Sequence, residues 1–280
     1  MKIKILIDSC GDIPIEILER YDIGMVPLNI ELDEKIFLDR IEIKPQDYYS
    51  KIYEYNLPNT SAPNLAQWKE HFDLHFKEGY NKIVVITLSS KLSNTYQQAS
   101  VAANKYFPED VVVIDSLNAS AGEGLIAIKL SEYIQEGKNL DTSITLIEQL
   151  RPNVVQVGFM DSLKMLVKSG RISKASEFFA SLGKMKPLII TEEGENKPLG
   201  KTISLKNAKK KAIEEILTRV DQKKTYTLFI THAEGLEEAR ELKREMESTL
   251  KISKSFIGYM GPVVGSRVGL NAQLIAVIPD

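Results

Sequence analysis

Short runs of β-branched and aliphatic residues recur along the chain at Ile3 to Ile7, Ile83 to Leu88, Val111 to Asp115, Val154 to Gly158, Leu188 to Thr191, Thr225 to Thr231 and Gln273 to Ile278. Each is apolar at successive positions, as a strand covered on both faces must be, so the runs predict buried strands. Between them the apolar positions fall three and four apart: Leu65, Trp68, Phe72 and Phe76; Leu205, Ala208, Ala212 and Ile216; Leu236, Ala239, Leu242 and Met246. That spacing puts one apolar stripe on each of three helices. Strand and helix alternate, and parallel strands need a crossover of a dozen or more residues, so the first half is expected to hold a largely parallel sheet covered by helices. After the helical segment Ser143 to Leu150 the pattern breaks at Arg151-Pro152-Asn153 and a new strand begins. The chain is therefore expected to be α/β with two domains, residues 1–157 and 158–280. The turn-rich stretch from Glu192 to Pro198 predicts a hairpin or loop, and Lys206, Lys209, Lys210 and Lys211 predict the solvated face of a helix.

A chain of 280 residues has room for two such domains and can bury a core without disulfides. Lysine and arginine number 36 against 38 acidic residues, so a net charge of -2 gives no electrostatic reason to expect nucleic acid, and at most transient contact with a membrane. The single cysteine, Cys10, excludes an internal disulfide and a cysteine zinc site, which fits a cytoplasmic location. The N-terminal apolar run is interrupted at Asp8, too soon for a signal peptide or a membrane span, and no later run has the length to cross a bilayer.

Several motifs suggest chemistry and then fail on spacing. Gly194 to Thr202 approaches a phosphate-binding loop, but five residues separate Gly194 from Gly200 where four are needed, and Pro198 lies among them. The segment that holds Gly122 and Gly124 begins seven residues after the strand ending at Asp115, too late for a dinucleotide turn, so close helix packing is the expected reason for the glycines. In Asp8-Ser9-Cys10-Gly11-Asp12, a phosphatase of the haloacid dehalogenase type would carry a second aspartate at Cys10. His71 and His75 lack a glutamate between them, and no Gly-x-Ser-x-Gly accompanies the three histidines. Asp8, Asp12 and Asp115 keep a phosphate-handling enzyme open as an alternative.

Hydroxyl residues beside helix starts are more suggestive. Ser93 precedes a helix expected to run to about Phe107, and Thr60-Ser61-Ala62-Pro63 precedes another, with Pro63 suited to its first turn. Two such turns at the carboxyl edge of one parallel sheet would aim hydroxyls and free amide N–H groups into a shared crevice, which suits a carboxylate.

These segments, taken in order, resemble the DegV family of fatty-acid-binding proteins along the whole chain. Ile7-Asp8-Ser9-Cys10-Gly11-Asp12 is similar to the family's opening strand and turn, and Thr60-Ser61-Ala62-Pro63-Asn64 to its Thr-Ser-x-Pro-Ser segment. Ser89 to Ala99 carries the most specific likeness. Asp115-Ser116 with Gly122-x-Gly124, Ser169-Gly170-Arg171-Ile172, Lys186-Pro187-Leu188 and Gly261-Pro262-Val263-Val264-Gly265 complete the series. The resemblance implies a long-chain fatty acid in a tunnel between the two domains, with its carboxylate near Thr60, Ser61, Ser93 and Asn94. It also implies a binding protein without catalytic residues, metal or organic cofactor, which in some bacterial members presents the acid to a separate fatty acid kinase subunit for phospholipid synthesis. A lipid sensor without that partner is the alternative within the family. The chain departs from the family pattern at Asn94, a usual glycine; at Arg267, where many members have histidine; and at Ile203, near a usual arginine. Arg267 is expected to close the head-group pocket and Arg171 to face a partner from a surface turn.

Overall fold

Four apolar segments of the first half assemble as one parallel sheet. In the computed structural model, which describes residues 1–55, 57–172 and 183–280, β1 (Ile3–Asp8) pairs with β2 (Ile23–Val26) and with β6 (Lys82–Thr87). Strand β6 in turn pairs with β7 (Val111–Asp115), giving the order β2-β1-β6-β7. Leu6, Ile83 and Val85 on one face meet Trp68 and Phe72 of α3 (Leu65–Lys77) and Ala99, Ala102 and Ala103 of α4 (Thr95–Tyr106). Ile5, Ile7, Val84 and Ile86 on the other face meet Leu18 of α1 (Ile15–Arg20) and Leu125, Ile126 and Ile128 of α5 (Ala121–Gln135). Burial on both faces is why these strands read as unbroken apolar runs rather than as alternation. Helix α3 begins with a capping box, in which Asn64 accepts from the N–H groups of Ala66 and Gln67 and the Gln67 side chain returns to the Asn64 N–H. Pro63 therefore precedes the cap instead of opening the first turn as expected.

A second sheet has six strands in the order β10-β9-β8-β13-β11-β12. They are β8 (Val155–Phe159), β9 (Lys186–Glu192), β10 (Glu195–Thr202), β11 (Tyr226–His232), β12 (Ile252–Tyr259) and β13 (Gln273–Pro279). All neighbours are antiparallel except β11 and β12. The phosphate-loop-like segment is β10, the second strand of a hairpin with β9. One face of the sheet is covered by α8 (Leu205–Arg219) and α9 (Leu236–Thr249), through Ala208, Ala212, Ile216, Ala239, Leu242 and Met246. Lys206 and Lys210 are solvated as expected, whereas Lys209 turns toward Glu241 and Glu245 at 3.4 and 2.5 Å. The other face, through Phe229, Ala276 and Ile278, packs into the same apolar cluster as α5.

Helix α5 is thus wedged between the two sheets, which explains why residues 121–132 are buried on every side and show no single apolar stripe, even though Glu123, Lys129 and Glu132 lie among them. A Cβ at Gly124 would come 2.6 Å from a ring carbon of Phe229 and 2.8 Å from the Gly11 carbonyl oxygen, so the glycine serves close packing. The expected division at residue 157 falls inside β8, whose whole length is laddered to β9 and β13. The change of sheet instead follows α6 (Leu140–Leu150), at the 3-10 turn Arg151–Asn153.

A third, antiparallel sheet, β4-β3-β5, joins β3 (Asn29–Leu32), β4 (Lys35–Leu38) and β5 (Asn59–Ser61), and with α2 (Pro45–Ser50) forms a small cap that the sequence pattern did not reveal. The remaining helices are α7 (Lys164–Lys168) and α10 (Pro262–Val268). Among the described residues no helix is long and apolar enough to cross a membrane.

Candidate functional site

Where the carboxyl end of the parallel sheet, the cap and the second sheet converge, the side chains leave a cavity of about 730 Å³, counting its open mouth. Its walls are apolar: Cys10, Leu28, Leu88 and Ala119 from the first half, and Leu166, Ile189, Val263, Val264, Val268 and Leu274 from the second. Gln156 and Asn196 are polar members of the wall, and both amides are occupied: Gln156 accepts from the Gly122 N–H at 2.7 Å and donates to the Thr191 hydroxyl at 2.9 Å, and Asn196 accepts from the Thr191 hydroxyl at 3.1 Å and donates to the Arg171 carbonyl oxygen at 3.1 Å.

Polar groups gather at the mouth. Arg267, near the end of α10, donates from Nη2 to the Thr60 hydroxyl at 2.8 Å, and Ser61 follows Thr60 on β5. Arg171 donates through Nε to the carbonyl oxygen of Leu92 at 3.3 Å, next to Ser93, and through Nη1 to the carbonyl oxygen of Ser169. Thr60, Ser61, Ser93, Arg171 and Arg267 all line the cavity. Among the described residues neither guanidinium has an ion-pair partner. Burial, and then the neighbouring Arg171, hold the Arg267 pKa below the usual guanidinium value. The Ser93 hydroxyl accepts the Thr95 N–H at 3.3 Å and pairs with the Thr95 hydroxyl at 2.9 Å. It can turn toward the cavity only by sharing those contacts.

A mouth rich in donors over an apolar cavity is suited to an amphiphile with an anionic head. The family model for uncharacterised proteins of the DegV family matches residues 2–280. The chain belongs to the DegV family. A DegV domain-containing protein of Clostridium acetobutylicum is 32% identical over 269 residues, covering 96% of this chain and 95% of that one. The fatty-acid-binding DegV family protein from Thermus thermophilus superimposes with a TM-score of 0.93 at 26% identity, covering 100% of both chains. A Thermotoga maritima protein whose structure revealed a fatty acid binding function superimposes with a TM-score of 0.91 at 27% identity, again over 100% of both chains.

Set on this DegV framework, the expected site residues separate. Thr60, Ser61, Ser93 and Arg267 come together at the mouth, although Thr60 and Ser61 belong to a strand of the cap and not to a turn of the parallel sheet. Asn94 does not line the cavity; it is the exposed N-cap residue of α4, and its φ of -79° is ordinary, so the loss of the family's glycine strains nothing. Arg171 corrects its expected place in an outward-facing turn. Gly170, at a left-handed φ of 69°, ends α7 so that the following arginine folds back on two carbonyl oxygens at the cavity. Ile203 is 77% exposed, on the turn before α8.

The aspartates proposed for phosphate chemistry are already occupied. Asp8 accepts from the N–H groups of Cys10 at 3.0 Å and Leu88 at 2.7 Å, and Asp115 from those of Ser90 at 3.2 Å and Leu117 at 3.0 Å. Asp12 accepts from the Ser120 hydroxyl at 2.6 Å and the Gly261 N–H at 2.7 Å. Burial raises the pKa of Asp8 and of Asp12 to about 7, and that of Asp39 to about 6. Glu123, fully buried beside Asp8 and Asp12, is pushed well above the usual carboxylate range by burial and by those neighbours. Neither Arg171 as a lining residue nor Asp39 as a buried acceptor carries a local sequence signal that would have revealed its place.

Proposed function

We propose that this protein binds one long-chain fatty acid in the cavity between its two halves, the carboxylate at Thr60, Ser61, Ser93 and Arg267 and the acyl chain along the apolar walls. The observation that carries the reading is a pair of guanidinium groups without a carboxylate partner among the described residues, at the mouth of a cavity lined mainly by aliphatic side chains. An acyl chain of roughly sixteen carbons gains up to about 0.8 kcal/mol for each CH₂ removed from water, which exceeds the cost of ordering it. Its carboxylate needs hydrogen-bond donors once buried, and the mouth supplies hydroxyls and guanidinium N–H groups. The fatty acid binding of the Thermus and Thermotoga relatives supports the same assignment. A carrier role, with presentation of the carboxylate to a separate kinase subunit, extends this reading and rests on the family resemblance.

A long acyl chain held against apolar walls is poorly released into water, so protein made in bacteria is expected to retain its ligand. Denaturation, extraction into organic solvent and mass spectrometry should recover an acyl chain in near-stoichiometric amount. Protein that is free of lipid and takes up none when a fatty acid is added would overturn the proposal.

A further inference from the structure

One wall of the cavity is α10, and the start of this helix is held by carboxylates from the other half of the chain. Asp12 accepts the N–H of Gly261, the N-cap residue, at 2.7 Å, and Asp39 accepts the N–H of Val263 at 3.2 Å. The N-cap residue offers no side-chain bond of its own. Both carboxylates are fully buried and separately anchored. The Ser120 hydroxyl donates to Asp12 at 2.6 Å and pairs with the Thr231 hydroxyl at 2.7 Å; the Ser9 hydroxyl donates to Asp39 at 2.6 Å and accepts the Leu28 N–H at 3.1 Å. A Cβ at Gly261 would lie 2.9 Å from Arg40 Cδ and 3.0 Å from Asp39 Oδ2, so the loop seats against the aspartate only because it is glycine. Arg267 stands one helical turn beyond Val263, about 6 Å along the axis. Any shift of the first turn is therefore carried directly to the guanidinium.

We infer that Asp12 and Asp39 are positioning residues for the head-group end of the cavity, fixing α10 so that Arg267 stays over Thr60. The inference rests on the fatty-acid reading. Neither aspartate lines the cavity, so neither acts by touching the ligand. Replacing the charge while keeping an acceptor isolates the effect, because hydrogen bonds to an ionised group are roughly twice as strong as neutral ones.

The test uses delipidated full-length protein carrying Asp12→Asn or Asp39→Asn, alone and combined with Arg267→Met, titrated with a long-chain acid and with the alcohol of the same length. Each single substitution is expected to weaken acid binding roughly three- to tenfold while leaving alcohol binding within about twofold. Neither should weaken acid binding further once Arg267 is methionine. Equal losses for acid and alcohol would show a merely structural role and overturn the inference, as would a loss that persists undiminished beside Arg267→Met. Should Asp39→Asn fail to fold, Ser9→Ala, which removes that carboxylate's anchor, is read in the same way. Unsubstituted protein that binds neither ligand would overturn the fatty-acid reading together with the inference, a result distinct from normal binding with indifferent aspartate variants.

Discussion

Replacing Arg267 by methionine should move affinity and stability in opposite directions. The guanidinium is partly buried, donates to the Thr60 hydroxyl at 2.8 Å and has no ion-pair partner among the described residues, while Arg171 opposes it from across the mouth. In the empty protein it therefore carries a desolvation cost that a bound carboxylate would offset. Methionine keeps most of the apolar stem and loses the charge. A hydrogen bond to a charged group contributes about 1.5–3 kcal/mol, and about 1.4 kcal/mol is a factor of ten, so acid affinity should fall roughly ten- to a hundredfold. The ligand-free protein should melt no lower, and a gain of about 1 kcal/mol would raise its Tm by about 2 °C in a chain of this size. Calorimetric titration of delipidated protein with a long-chain acid and the matching alcohol, beside thermal melts, reads both effects. Unchanged acid affinity, or equal losses for acid and alcohol, would show that Arg267 does not meet the head group.

Gly124→Ala should destabilise the fold by about 1–3 kcal/mol, because the added methyl meets the Phe229 ring and the Gly11 carbonyl where neither can retreat freely; denaturant melts showing no loss would contradict the packing of α5. Stability should also rise on mild acidification. Asp8 and Asp12 titrate at about 7 in the fold, against about 3.9 when unfolded, so between those values the folded state holds protons that the unfolded chain has released. Below about pH 6.5 His232, lowered to about 4 by burial, and His71, also lowered by burial, oppose the trend. The gain is therefore clearest from about pH 8 to about pH 6.5, should shrink in Asp8→Asn, and is contradicted by a Tm that falls over that interval.

The parts of this architecture that were legible in the sequence are those whose burial is complete. Strands β1, β6 and β11 and helices α3, α8 and α9 announce themselves because both faces, or one continuous stripe, must be apolar. The cap was not legible, since Lys35–Leu38 is largely exposed and Asn59–Ser61 is three residues long, leaving no period to detect. Strand β12, at the sheet edge, carries the polar run Ser253-Lys254-Ser255 and so has no apolar period to detect. Thr60, Ser61, Ser93 and Arg267 were singled out through motif likeness, and they line one cavity. Arg171 was misplaced because a Ser-Gly-Arg turn reads as surface, and only the fold shows that the glycine turns the arginine inward. Asp39 was missed because its partner, Val263, lies 224 residues away.

Helix α5 also decides how such a molecule can open. A helix buried on every side, seated against both large sheets, cannot act as a hinge without wetting one of its faces, and about 25 cal/mol for each Å² of apolar surface so exposed makes wide separation of the halves costly. Either half made alone would present that greasy surface to water and is expected to aggregate rather than fold. On the fatty-acid reading, a ligand would then pass through the rim beside the three-stranded cap, whose strand Lys35–Leu38 is largely exposed, while the spine stays shut.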